Sequence, residues 1–171
     1  EIREGLYSFG SRADDNPRRC HLQELGGVKL LLDFGHNPHG VRAMLSMARR
    51  MVTLNSDARL CVSVAQAGDR TNEDIRKLAR VVGEFEPDYV IVRNIEGYER
   101  GRDPGEVARL IGDTLVNEGF AQDRVVMRKG ETEALETAFQ WARPGDLVML
   151  LVHLKSEEVQ DWLDRQKGKA P

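Results

Sequence analysis

The stretch Val28-Lys29-Leu30-Leu31-Leu32-Asp33-Phe34-Gly35-His36-Asn37-Pro38 decides the fold. Its first half is a leucine-rich run without polar alternation, the pattern of a strand covered on both faces. Its second half breaks that run: Asn37 is a preferred helix N-cap and Pro38 suits the first helical position. Beyond it Val41, Met44, Leu45, Ala48, Met51 and Val52 recur every three or four residues, which predicts a helix with one apolar face. Strand, polar turn and amphipathic helix together form the first half of a βαβ unit.

The same alternation continues outward. Further strands are predicted over Arg59 to Ala65, Asp88 to Val92, Arg124 to Arg128 and Asp146 to Val152, with the first over Val28 to Phe34. Arg19 to Leu25 reads as an extra strand joined through Gly26-Gly27 in a hairpin. Thr71 with Asp74 opens a second helix, and Asp103-Pro104-Gly105-Glu106 a third, with cap, proline and acid in order. A fourth stripe runs through Leu135, Ala138, Phe139 and Ala142, and a fifth follows a Ser156 cap. The predicted fold is α/β: a Rossmann-like open, mostly parallel sheet with helices on both faces, preceded by an N-terminal β-hairpin strand. Residues 1–15 are expected to be a linker from an upstream domain, 16–165 the domain and 166–171 a tail.

Composition narrows the function. The 171 residues carry 25 Lys+Arg against 28 Asp+Glu, a formal charge of −3 with 40% apolar residues, which describes one soluble globular domain. A near-neutral balance argues against nucleic acid as a partner. No run approaches the roughly 18 apolar residues of a membrane span, and no leader opens the chain, so a cytoplasmic protein is expected. Cys20 and Cys61 are too few for a disulfide framework. Glu1 is not a Met and enters a polar stretch, which reads as a piece of something longer.

In an open parallel sheet, ligands collect beyond the carboxyl ends of the strands, and four loops there are polar. Asp33 to Pro38 delivers an Asp, a His and outward-pointing helix amides, which suits a nucleotide's ribose and phosphates; simple capping is the alternative. Gly68-Asp69-Arg70-Thr71 pairs an acid and a base on a glycine turn, or is a surface ion pair. Glu96 to Asp103 sets Arg100 and Arg102 around Gly101, a candidate fork for a carboxylate or phosphate, or a solvated loop. Val152-His153-Leu154-Lys155-Ser156 says least. No GxxxxGK[ST] loop, GxGxxG turn or GxSxG elbow occurs, and His36 and His39 lack the neighbours that zinc requires, so no metal site is expected.

Taken together, Asn16-Pro17-Arg18-Arg19, then Val28 through His36-Asn37-Pro38, then Gly68-Asp69-Arg70, resemble the C-terminal domain of the Mur ligase superfamily. Asp33-Phe34-Gly35-His36-Asn37-Pro38 with Gly40, and Arg100-Gly101-Arg102 with Gly105-Glu106, resemble most the cyanophycin synthetase branch. The resemblance implies a three-domain enzyme that joins a carboxylate substrate to an amino-acid acceptor through an acyl phosphate. ATP and Mg2+ would be held mainly by a middle domain, with this domain closing over the nucleotide. It further implies that Arg19, Asp33, His36 and Asn37 face the nucleotide, Asp33 and His36 with catalytic roles, and that Asp69, Arg70, Arg100 and Arg102 face the acceptor. Partners would be the upstream ligase domains of the same protein, and the isolated fragment is expected to be inactive. Arg18 stands where the family has glycine. The family's Asn-Pro-Arg and Lys-Gly-His-Glu elements are missing, the latter replaced by Val152-His153-Leu154-Lys155, which turns the expectation away from a peptidoglycan acceptor. A non-catalytic nucleotide- or anion-binding module of the same fold is the alternative.

Overall fold

The leucine run behaves as its composition requires: Leu31 enters one apolar cluster, Leu30 and Leu32 another on the opposite side. The structure, a computed structural model, describes residues 20–54 and 57–168. In chain order the elements are β1 (His21–Leu25), β2 (Val28–Asp33), α1 (Pro38–Thr53), β3 (Leu60–Val64), α2 (Asn72–Gly83), β4 (Tyr89–Arg93), α3 (Glu106–Asn117), β5 (Val125–Arg128), α4 (Glu131–Trp141), β6 (Leu147–Leu151) and α5 (Ser156–Lys167).

The six strands form one sheet in the order β1-β2-β6-β3-β4-β5, β1 antiparallel to β2 and the other pairings parallel. The predicted α/β class is the observed one. Helices α1, α2 and α3 cover one face through Leu45, Leu78 and Ile111, while α4 and α5 cover the other through Leu135 and Leu163. Leu30, Leu31, Leu60 and Leu150 are fully excluded from water, each contributing about 1.5–3 kcal/mol by burial. Because β6 inserts between β2 and β3, the ends of β2, β6, β3 and β4 stand side by side at one edge.

Several boundaries differ from expectation. Phe34, Ala65 and Val152 lie just past their strands, and β4 is displaced by one residue so that Arg93 pairs with Arg128 in the ladder. Glu106, not Pro104, begins α3: its carboxylate accepts the Asp103 N–H at 3.1 Å, and the chain turns through left-handed Gly105 (φ +84°) before the helix winds. Lys155 rather than Ser156 caps α5, which runs through Lys167, so residues 166 and 167 are helical. Asn37 and Thr71 cap as expected, accepting from the Gly40 and Asp74 amides. No helix of the described residues is long and apolar enough to cross a membrane, and both cysteines are free.

At the amino ends of the strands, buried Asp146 gathers the Arg59 and Arg143 amides, both at 2.9 Å, and the Arg59 guanidinium at 2.5 Å. Burial works to raise its pKa, but the Arg59 side chain and the two amides outweigh it and the carboxyl sits below its ordinary value. A lowered carboxyl contributes stability above the unfolded pKa and loses it as pH falls through the folded one. Asp146→Asn is therefore expected to cost about 2–4 kcal/mol in urea denaturation at pH 7. The gap between variant and wild type should close below the ordinary value of 3.8.

Candidate functional site

The four polar loops converge on a cavity of about 230 Å³. The first loop supplies Phe34 and His36, the second Ala65, Gln66, Ala67, Asp69 and Arg70, the third Ile95, Tyr98 and Arg100, and the fourth His153 and Leu154.

Each loop is fixed by a local cause. In the first, the His36 ring donates through Nδ1 to the Phe34 carbonyl at 3.2 Å, which leaves Nε2 as an acceptor on an exposed side chain. In the second, Gly68 is needed for close approach and not for a turn: an added Cβ would lie 1.9 Å from the Glu99 carbonyl oxygen. Its N–H donates to the Tyr98 carbonyl at 2.8 Å, joining second loop to third. Asp69 and Arg70 are both exposed and lie 3.7 Å apart. In the third, Arg100 takes a left-handed backbone (φ +52°), a conformation costing of order 1 kcal/mol outside glycine, and lays its guanidinium over the Tyr98 ring at 4.7 Å.

The fourth loop is held from beneath. Glu131, the first residue of α4 and buried, accepts the N–H groups of His153, Leu154 and Lys155 at 2.6, 3.1 and 2.7 Å. Arg93, also buried, lies 3.4 Å from that carboxylate and donates to the Leu151 carbonyl and to His153 Nδ1. His153 Nε2 then faces the Gly35 carbonyl at 3.1 Å, so the ring is the neutral Nε2–H tautomer. Burial, with the Arg93 charge beside it, pushes the His153 pKa down to about 4. Burial likewise lowers Arg93 to about 10 against the pull of Glu131, so the guanidinium keeps its charge at neutral pH.

Of the residues predicted from sequence, His36, Asp69, Arg70 and Arg100 meet at the cavity. Asp33 stands behind them, 4% exposed, with Oδ2 accepting the Cys20 N–H at 2.8 Å. The Asn37 side chain is engaged as the α1 cap at 2.9 Å. Arg19 lies outside the described residues. Arg102 does not line the cavity: its guanidinium donates to the Gly68 and Arg70 carbonyls at 2.8 and 2.7 Å and to Asn72 and Glu106 at 2.7 and 2.6 Å. It ties the second loop to the third. Arg93 and Glu131 escaped the sequence reading; the available signal was an arginine closing an apolar strand of a sheet buried on both faces, where a charge needs a partner. Gln66, 8% exposed, was also missed; its Nε2 donates to the His36 carbonyl at 3.4 Å and its Oε1 has no partner.

The family model "Mur ligase, glutamate ligase domain" matches residues 18–151, and the chain belongs to that family. Over 151 residues it is 32% identical to cyanophycin synthetase of Geminocystis herdmanii, a match covering 87% of this chain and 16% of that protein. The solved structure of UDP-N-acetylmuramoyl-L-alanyl-D-glutamate--2,6-diaminopimelate ligase superposes with a TM-score of 0.65 at 18% identity, covering 89% of this chain and 32% of that one. The bifunctional folylpolyglutamate synthase/dihydrofolate synthase of Yersinia pestis, solved with AMPPNP and Mn ion, gives 0.63 at 20% identity, covering 87% and 32%. The chain thus spans under a third of each of these proteins, and the two solved structures speak to its fold alone.

Two outcomes check the geometry. In an NMR titration the His153 ring is expected to remain the Nε2–H tautomer until about pH 4. Because the unfolded histidine takes its proton near 6.5 and the folded one near 4, folding stability should fall by about 3 kcal/mol as pH drops through that window. His153→Gln should flatten the slope. Separately, Arg102→Lys keeps the charge but cannot reach four acceptors at once, so amide exchange of residues 68–72 should quicken by about tenfold or more. Unchanged exchange there would leave Arg102 a solvated surface residue.

Proposed function

We propose that this chain is the nucleotide-closing and acceptor-holding C-terminal domain of an ATP-dependent carboxylate-amine ligase similar to cyanophycin synthetase, acting in the cytoplasm. The observation that carries the reading is the cavity itself: four strand-end loops of a Mur ligase family domain, cross-tied, with His36, Asp69, Arg70 and Arg100 at one mouth.

In such a ligase an oxygen of the substrate carboxylate attacks the γ-phosphorus of ATP and ADP departs, leaving an acyl phosphate. The acceptor amine then attacks the acyl carbon, the carbon–oxygen bond to phosphate breaks, and the nitrogen loses a proton as the amide forms. This chain contributes positioning and charge. Arg70 and Arg100 hold the acceptor's carboxylate and Asp69 faces its amine. With its Nδ1–H held by the Phe34 carbonyl, the His36 ring has Nε2 left for the nucleotide, where it donates to a phosphate oxygen when it carries a proton. Asp33 stands behind it and holds the entry to β1 through the Cys20 amide. Mg2+ would be held mainly by the middle domain of the intact ligase. ATP binding likewise draws mainly on the other domains.

ADP release and amide formation by the intact protein test the reading. His36→Ala is expected to lower kcat/KM for ATP by about 10²–10³-fold, about 2.7–4 kcal/mol, without loss of fold, and the 171-residue chain alone should turn over no ATP. An intact protein that forms no amide with any amino acid, or a wild-type rate in His36→Ala, would overturn it.

A further inference from the structure

Arg93 and Glu131 do not line the cavity, yet their contacts lead to a residue that does. Because β3 stands between β4 and β6, the Arg93 side chain crosses β3 to donate to the Leu151 carbonyl and to His153 Nδ1. By alternation from Cys61, the β3 face it crosses carries Ser63 and Ala65, both small and buried, which leave it a path. His153 in turn donates through Nε2 to the carbonyl of Gly35, the residue before His36, at 3.1 Å. The Phe34 ring stands beside both imidazoles, its centroid 5.5 Å from each, and the Phe34 carbonyl holds His36 Nδ1. We propose that Arg93 and Glu131 are positioning residues for His36, which they set through His153 and the Phe34-Gly35 turn. The inference rests on the ligase reading above, which turns His36 to the nucleotide, and adds to it two residues that touch no substrate.

Stability alone accounts poorly for the pair. A buried ion pair improves on apolar side chains of the same volume only when its remaining donors and acceptors are satisfied. That condition is met in part, since Arg93 Nε has no hydrogen-bond partner among the described residues. What the arrangement supplies instead is direction. The Glu131 carboxylate, 3.4 Å from the guanidinium, takes the amides of His153, Leu154 and Lys155, which fixes the backbone of the fourth loop. Arg93 fixes the ring on that backbone, because a donor facing Nδ1 leaves the proton on Nε2, where it meets the Gly35 carbonyl. Apolar packing in place of the pair would fill the same space and let the ring carry its proton on either nitrogen.

The test is a double-mutant cycle in the intact ligase, read as kcat/KM for ATP. Arg93→Lys keeps a charge beside Glu131 but lacks the fork that serves the Leu151 carbonyl and His153 together, and is expected to lower kcat/KM by about tenfold. Glu131→Gln turns one acceptor into a donor facing the fourth-loop amides and should do the same. In a His36→Ala background each change should cost less than about twofold, because the ring they set is gone. A merely structural pair costs the same factor in both backgrounds, and that additivity overturns the inference. NMR of the imidazole nitrogens in the 171-residue chain adds a readout free of activity: Arg93→Lys should redistribute the His153 ring proton and move the His36 signals in a chain that stays folded. Unmoved His36 signals overturn the inference as well. If neither single variant folds, Arg93→Met with Glu131→Leu removes both charges at similar volume and carries the same measurements; loss of fold there too makes the pair structural and sinks the proposal. An intact protein that forms no amide sinks the ligase reading alone, since the response of His36 to Arg93→Lys in the spectrum stands or falls separately.

Discussion

A single buried ion pair sets the geometry of the sheet edge at the carboxyl ends of the strands. Arg93 ends β4 and Glu131 begins α4, both out of water, 3.4 Å apart. Burying two charges is costly, and their attraction offsets that cost only when the remaining donors and acceptors are satisfied. Here the Glu131 carboxylate takes three consecutive amides of the fourth loop, and Arg93 reaches the Leu151 carbonyl and the His153 ring. The pair thereby couples the ends of β4 and β6 to the start of α4, elements that α4's crossover would otherwise leave joined only through packing. Removing one member would strand the other charge in the interior, the more severe of the two ways to lose such a pair.

From that pair the constraint passes outward. Arg93 fixes the tautomer of His153, whose Nε2–H binds the Gly35 carbonyl and so fastens fourth loop to first. The second and third loops are fastened by the Gly68 amide and by Arg102. Gln66 spans from the second loop to the His36 carbonyl of the first. All four loops are therefore linked by hydrogen bonds, and the side chains left exposed at the cavity are carried on a frame held from several sides. Side chains placed this way lose little geometry to thermal motion, which is what positioning requires.

The strands and helices were legible because their causes are local. A leucine run between turn signals, an Asn-Pro cap and a Thr-x-x-Asp cap each act within a few residues, and each formed as read. At α3 the local signal was right in part: Glu106 accepts the Asp103 amide as a capping-box acid does, but the helix begins only at Glu106, after left-handed Gly105, with Arg102 paired to the Glu106 carboxylate. In the site, sequence identified which charges lie at the edge without saying what each one touches. Arg100 and Arg102 are two residues apart and chemically identical, yet one opens on the cavity and the other is enclosed by Gly68, Arg70, Asn72 and Glu106. Glu131 and Arg93 are separated by a helix and a strand, so no short-range pattern announces them.

This division between enclosed and open charges decides the polarity of the cavity. Had Arg102 and Arg93 both faced the cavity, its field would be strongly positive and would suit a phosphate or a dicarboxylate. With Arg93 paired to Glu131, His153 held neutral and Arg102 occupied by backbone carbonyls, the open charges reduce to the Asp69–Arg70 pair and Arg100, all at the mouth. Enclosing the other ionisable groups leaves Ala65 and Ile95 to form a floor that apolar atoms can contact. The buried pair that frames the loops therefore also helps to set the polarity of the space between them.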